Sequence, residues 1–365
     1  MEPHNRFYEF VEDFRDPFSR DRDRVLHASS FRRLEYKTQV FLNHEGDYFR
    51  TRLTHSLEVS QIARTLARTL GLNETLCEVI ALSHDLGHTP FGHTGGDMLD
   101  ILLREDGHTN GFEHNFQSFR VLTKLEKRYK GFDGLNLTYA TLEGVLKHSY
   151  PYKKSFTKEL EGVFALDKHP SLEAIVVDKA DEIAYVSHDI DDGIKYQLIN
   201  WDDFKDEPLF CRIEAKLAGM DQQDRLYRHR FVAALITLLV EDFIANSKDP
   251  IKAYDRIKPL CSTLDARSVV PIGFSSEVAR EIKQMKKLLF SKLYRHQKIA
   301  QKMFAGKQCI RGLYKAFTQE IDLLPSRQKE ILQKRQSHRV IADYIASMTD
   351  RYAIKEYHRI YGFEF

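Results

Sequence analysis

The chain has 365 residues, 42% of them hydrophobic and 12% aromatic, which is enough apolar material for a sizeable core. Its 55 basic and 53 acidic residues nearly cancel, so bulk charge argues for neither a nucleic-acid nor a membrane-surface partner. The cysteines, Cys77, Cys211, Cys261 and Cys309, form no CxxC pair; buried thiols in a reducing, cytoplasmic compartment are expected rather than disulfides or a zinc knuckle.

In chain order, MEPHNRFYEFVEDF lacks a basic segment followed by an apolar one and does not read as a secretory signal. RDRDR at 20–24, with Arg32, Arg33 and Lys37 behind it, leaves two readings open: a helix face laced with salt bridges, or a phosphate- or effector-binding surface. TQVFLNHEGDYFRT at 38–51 places apolar residues around the turn-forming NHEGD and predicts one small β-hairpin. Apolar residues at three- and four-residue spacing predict helices over 54–70, 74–87, 113–127, 171–199, 224–246, 276–303 and 337–350. The expected fold is all-α. FVAALITLLV at 231–240 falls short of the ~18 residues of a membrane span and reads as a buried helix, so no membrane association is expected.

TLEGVLKHSYPYKK at 141–154 offers Lys147, His148, Tyr150, Tyr152, Lys153 and Lys154, as either a nucleotide pocket lining or an exposed connection. Pro250, Pro259, Pro271 and Gly273 mark 248–275 as a connection, dividing a core of 1–247 from a C-terminal helical extension of 248–365 packed on it. Within the extension, 280–302 carries Arg280, Lys283, Lys286, Lys287, Lys292, Arg295, Lys298 and Lys302. That strip could neutralise nucleic-acid phosphates, but its interspersed apolar residues favour an amphipathic helix with a solvated basic face.

The chemistry concentrates in LSHDLGHTPFGHTGGDM, residues 82–98. Adjacent helical residues point about 100° apart, so His84 and Asp85 can reach one centre only near a helix end, where Gly87 and Pro90 put them. His55 and Asp181, each in a predicted helix, are further candidates. Two imidazoles and two carboxylates form a mixed nitrogen and oxygen set suited to a divalent metal, with positions left for water and a substrate oxygen. Taken singly, each also has an ordinary reading as a satisfied helix histidine, a cap or a surface acid.

Six blocks in order, SRDRDRVLHASSFRRLEYKTQVF, RTRLTHSLEVSQIARTLAR, SHDLGHTPFGHTG, GFEHNFQSFRVL, ADEIAYVSHDIDDGI and DYIASMTDRYA, resemble the signature blocks of the dGTPase-like deoxynucleoside triphosphate triphosphohydrolases of the HD-domain superfamily. They extend from about residue 19 to about residue 354. The resemblance implies an HD-domain helical fold and metal-dependent hydrolysis of dNTPs to deoxynucleoside and tripolyphosphate by water attack on the α-phosphate. It implies His55, His84, Asp85 and Asp181 as metal ligands, with manganese first and iron(II), nickel, zinc or magnesium as alternatives.

Arg52, three residues before His55, resembles the arginine that contacts the triphosphate, a role suited to its paired donors. Tyr185 and Asp189 follow Asp181 at i+4 and i+8, close to one helix face, and match the positions that pack on the deoxyribose and accept from its 3′-hydroxyl. His88 resembles the histidine that approaches the α-phosphate, His93 the one beside the leaving oxygen, and His114 a further member of that cluster. The chain departs from the family pattern three residues after His93: where an orienting acid is common it has Gly96, with Asp97 next to it as the candidate substitute. The resemblance further implies a homo-oligomer, often a hexamer, with a dNTP or single-stranded DNA as effector. The alternatives are another HD-superfamily nucleotidase or phosphodiesterase, or a weakly catalytic regulator that binds nucleotide or nucleic acid.

Overall fold

Asp16 opens the first helix, α1 (Pro17–Leu26), by accepting hydrogen bonds from the Phe18 and Ser19 amides, with Pro17 preset for the first turn. The charges of 20–24 are spent internally. Asp21 is buried and accepts from Thr138 N, Thr138 Oγ1 and Thr141 Oγ1 as well as from Arg6. Arg20 pairs with Glu12 and Asp13, Arg22 with Glu78, and Arg24 donates to the Leu135 and Asn136 carbonyls. Of the two readings left open for this stretch, the salt-bridged face holds.

A short α2 (Ser29–Arg33) leads to Lys37 and Thr38. The computed structural model describes residues 2–39, 50–149, 151–152, 154, 160–217, 219–254 and 272–362. Most of the hairpin expected at 38–51 therefore lies outside the described residues; its two ends meet in a single antiparallel bridge, Thr38 to Thr51. Cys261, Tyr150, Lys153, Pro259 and Pro271 also lie outside them.

Thr51 starts α3 (Arg52–Leu70) through a capping box with Thr54, and Gly71 ends it in the left-handed region at φ 71°. Asn73 caps α4 (Glu74–Ser83), which packs on α3 and α1. The chain then passes through α5 (Gly92–Glu105), α6 (His114–Arg120) with a π-helical turn behind it, and α7 (Tyr139–Leu146). The long α8 (Leu172–Lys195) lies against α3 and α4, with α9 (Pro208–Lys216) and α10 (Tyr227–Tyr254) beyond it. The run 231–240 sits in α10 with one face buried and residues such as Ala233 and Thr237 exposed; no helix among the described residues is long and apolar enough to cross a membrane.

The single helix expected over 276–303 is two: α11 (Ser276–Leu289) ends in a π-helical turn, Phe290–Tyr294, before α12 (Gln297–Gln319) begins. The chain closes with α13 (Ser326–Leu332), α14 (Ser337–Ala346) and α15 (Asp350–Tyr361). Among the described residues the fold is all-α, with no strand.

Buried side chains form two clusters. The larger joins α1, α3, α4 and α7 to α11 around residues such as Val59, Leu66, Ile80 and Val177. The second packs α5 against α12, α14 and α15 through Leu99, Leu103, Leu313, Phe317 and Ile345. Cys77 and Cys309 are buried as expected, whereas Cys211 is exposed on α9, where its thiol reaches the Lys205 carbonyl.

Candidate active site

Helix α4 stops just short of His84, whose imidazole turns back so that Nδ1–H donates to the Ala81 carbonyl at 2.7 Å. A carbonyl only accepts, so Nε2 is left as a lone pair. That nitrogen faces Asp85 Oδ1 at 3.4 Å and Asp181 Oδ1 at 3.8 Å. His55 on α3 brings Nε2 to 2.8 Å from Asp181 Oδ1, and one donor atom each of His55, His84 and Asp181 lies within 4.8 Å of the others. Electron-rich atoms converging in this way repel unless a cation or proton sits between them. Burial holds His84 below the usual histidine range, so a proton on it is disfavoured and the donor set fits a divalent cation. Asp85 and Asp181 are both held well below the usual carboxylate range: burial opposes this, but His84 and Arg52 outweigh it at Asp85, and hydrogen bonds from His148 and His55 outweigh it at Asp181.

Asp85 stands to one side of the trio, with Oδ1 3.1 Å from His88 Nε2 and Oδ2 accepting from Arg52 Nη1 at 2.9 Å. Arg52 is only 1% exposed, yet its Nε and Nη2 find no partner among the described residues. The next acid along α3, Glu58, is bound instead to His188 and Arg50. A buried guanidinium with two spare donors on a cavity wall is built to receive an anion. Gly92, at φ 60°, keeps the backbone close: a Cβ there would lie 3.4 Å from Arg52 Nη2.

His88, His93 and His114 form a second cluster, with ring centroids 4.9 Å apart for His88 and His93, 4.3 Å for His88 and His114, and 5.4 Å for His93 and His114. Gly87 makes this convergence possible, because a Cβ there would overlap the Ser118 amide nitrogen and the His114 carbonyl oxygen of α6. Gly87 N also donates to Ser118 Oγ at 2.8 Å, and that hydroxyl donates to the His84 carbonyl at 2.6 Å, locking α6 onto the turn. Burial keeps His88 and His114 well below the usual histidine range, so both are neutral at physiological pH.

Both clusters open into one cavity of about 900 Å³ where the two hydrophobic clusters meet, walled by α3, α5, α8 and α12. Tyr185 lines it one turn beyond Asp181, stacked on Tyr294 at 6.3 Å. Asp189 is buried behind them and accepts from the Tyr294 hydroxyl; burial pushes its carboxyl up to about 7. Eight of the eleven site residues picked from sequence line this cavity, and His84 and Asp189 lie buried directly behind it. Asp97 is exposed on α5 and makes no hydrogen bond to His93.

Sequence reasoning underrated several cavity residues. His148 is buried beside Asp181, 2.5 Å from Asp178 Oδ1 and 4.9 Å from the His84 ring, and Asp178 raises it well above the usual histidine range against the effect of burial. Asp178, three residues before Asp181 on the same face, was the available signal. Lys286, Lys298 and Lys302 of the basic strip line the cavity, Lys298 at its exposed rim, while Arg280, Lys283, Lys287, Lys292 and Arg295 face solvent as expected. Of the 141–154 cluster, His148, Tyr152 and Lys154 also line it, while Lys147 is buried against Glu143 at 2.7 Å.

Residues 52–186 match the HD domain family, a span that begins at Arg52 and ends just past Tyr185. Residues 272–359 match the phosphohydrolase-associated domain. A deoxyguanosinetriphosphate triphosphohydrolase-like protein of Wolinella succinogenes is 58% identical over 365 residues, covering 99% of this chain and 100% of the relative. Proteins of the same description from Geobacter sulfurreducens and Thiobacillus denitrificans are 45% and 46% identical, covering 96% of this chain and 90% and 92% of their own lengths. Similarity of this extent, running through both domains, places the chain in the HD-domain family of deoxyguanosinetriphosphate triphosphohydrolase-like proteins.

Proposed function

We propose that the protein hydrolyses deoxynucleoside triphosphates to deoxynucleoside and tripolyphosphate. The observation that carries this reading is Arg52, buried on the cavity wall beside the metal donor set with Nε and Nη2 unpaired. A divalent cation held by His55, His84, Asp85 and Asp181 would supply Lewis acidity toward a phosphate oxygen and a bound water of lowered pKa. Manganese is our first choice for it, ahead of iron(II), nickel, zinc and magnesium. Arg52 donates to two oxygens of the phosphate chain while Asp85 holds its third donor in place. Lys286, Lys298 and Lys302 neutralise the distal phosphates at the cavity rim. His88 and His114 approach the α-phosphate as neutral imidazoles, and His93, the exposed member, protonates the leaving 5′-oxygen. Tyr185 packs on the deoxyribose, and Asp189 exchanges the Tyr294 hydroxyl for the sugar 3′-hydroxyl. In this reading residues 1–247 form the catalytic core and 248–365 an extension that completes the cavity.

A second reading, a weakly catalytic nucleotide-binding regulator, is favoured by one feature: His93 donates no hydrogen bond to Asp97 that would orient it, and position 96 is glycine. Incubating the protein with manganese and each of the four dNTPs and four NTPs, with and without dNTP mixtures, and separating products by anion exchange distinguishes the two. Tripolyphosphate with deoxynucleoside, absent for the ribonucleotides, is the expected result. Orthophosphate or nucleoside monophosphate would refute the reaction. No product from the wild type, with turnover gained in Gly96→Glu, would establish the regulator; the nearest atoms to a Cβ there are 3.7 Å away, so the longer side chain has room.

A further inference from the structure

Hydrolysis as proposed asks two imidazoles, His88 and His114, to meet a phosphate and His93 to give up a proton. It does not ask three to point at each other. Yet His88 from the turn after α4, His93 from the first turn of α5 and His114 from the first residue of α6 each place one ring nitrogen within 4.8 Å of those of the other two. Three separate stretches of chain converge here, so the arrangement is not a by-product of helical spacing.

The surroundings also fix which nitrogens are available. His88 Nε2 is 3.1 Å from Asp85 Oδ1, so Nε2–H donates to the carboxylate and Nδ1 is left as a lone pair. An imidazole with its far N–H held by a carboxylate is oriented and made more basic as a ligand. His114 Nδ1 lies 3.6 Å from Glu113 Oε1, which biases its proton to that side and leaves Nε2 free. His93 is exposed, and its ring can turn to close the set.

We propose that His88, His93 and His114 form a second cation site in the cavity, selective for an imidazole-preferring ion of the zinc class over magnesium or calcium, which demand oxygen ligands. Tetrahedral zinc needs its ligand nitrogens about 3.4 Å apart, a contraction that rotation of His93 supplies, and leaves the fourth position to water. Resting on the hydrolytic reading, one consequence follows: with the three imidazoles occupied, His93 has no proton to give, and zinc beyond one equivalent inhibits turnover.

The test is zinc binding to the full chain by equilibrium dialysis with metal analysis, independent of any activity. The wild type should hold two zinc ions per chain, and His93→Ala, at an exposed position, only one. His55→Ala should lose the other ion and retain this one, and cobalt substituted into His55→Ala should give the intense visible absorption of a four-coordinate site. His114→Asn provides a second removal should His93→Ala disturb the fold. Zinc beyond the first equivalent should slow manganese-driven turnover at least tenfold, reversed by a chelator. One zinc in the wild type, or two retained in both trio variants, overturns the site; loss of hydrolysis from the proposed function would leave these stoichiometries unchanged.

Discussion

Arg52 and Glu173 are both buried, yet they stand in opposite relations to their surroundings. Arg52 keeps two donors unsatisfied beside the metal donor set, which is costly unless a ligand arrives. Arg52→Lys keeps the charge but loses the forked donors, so kcat/KM for dNTPs should fall roughly 10²- to 10³-fold, the loss of two charge-assisted hydrogen bonds; steady-state kinetics at matched salt measures it. Glu173 has no such ligand to wait for. Burial pushes its carboxyl up to about 7, although Asn73 N donates to it at 3.2 Å. The folded state therefore binds this proton more tightly than the unfolded chain does. Its contribution is fully present below the ordinary glutamate range and is lost as pH rises toward 7. Glu173→Gln should remove that decline and be more stable than the wild type near about pH 8, by up to ~3 kcal/mol in urea unfolding. At this scale the site was largely legible, because the HD pair and its histidines lie in one short stretch. His148 was left with two readings and Asp178 unnamed, since only the fold brings the end of α7 beside α8.

Helix α6 carries His114 into the site only because Gly87 lets it approach. Gly87→Ala would force its methyl group into the Ser118 and His114 backbone, neither of which is a flexible tip. The variant should lose about 1–3 kcal/mol of stability and most of its turnover, checked by thermal unfolding alongside the dNTP assay. Periodicity found α3, α4, α6, α8, α10, α11 and α14 but missed α5, α7, α9, α13, α15 and most of α12. Every residue of α7 is buried, so no polar face marks its turns. The first turn of α5 is GHTGG, which reads as loop composition until α12 packs against it. The basic strip is largely the solvated face expected of an amphipathic helix, with three of its lysines at the cavity. A π-helical turn breaks it at Phe290–Tyr294, resetting the phase so that Lys298 and Lys302 enter the cavity.

Across the whole molecule, the cavity lies on the seam between the two hydrophobic clusters, and a buried lysine ties the seam together. Lys37 donates to the His88 carbonyl in the HD turn and, at 2.8 Å, to the Ala346 carbonyl at the end of α14. Beside it, Asp350 at the start of α15 accepts from Thr38 N and Phe91 N, both at 3.0 Å. Burial and the neighbouring arginines push the Lys37 ammonium down to about 7, a cost tolerated for these two contacts. Lys37→Met leaves both carbonyls unpaired; it should lower the unfolding midpoint and reduce kcat more than it raises KM. None of this seam could be read from sequence, because it joins residues 37, 88 and 346 through backbone carbonyls that carry no residue signature.

The central claim is that the residues around this cavity direct water to the α-phosphorus of a deoxynucleoside triphosphate. Hydrolysis in heavy-oxygen water, with mass spectrometry of both products, tests it most directly. Attack at the α-phosphorus puts one heavy oxygen into tripolyphosphate and none into the deoxynucleoside. Label in orthophosphate, or in the deoxynucleoside 5′-hydroxyl, would contradict the account.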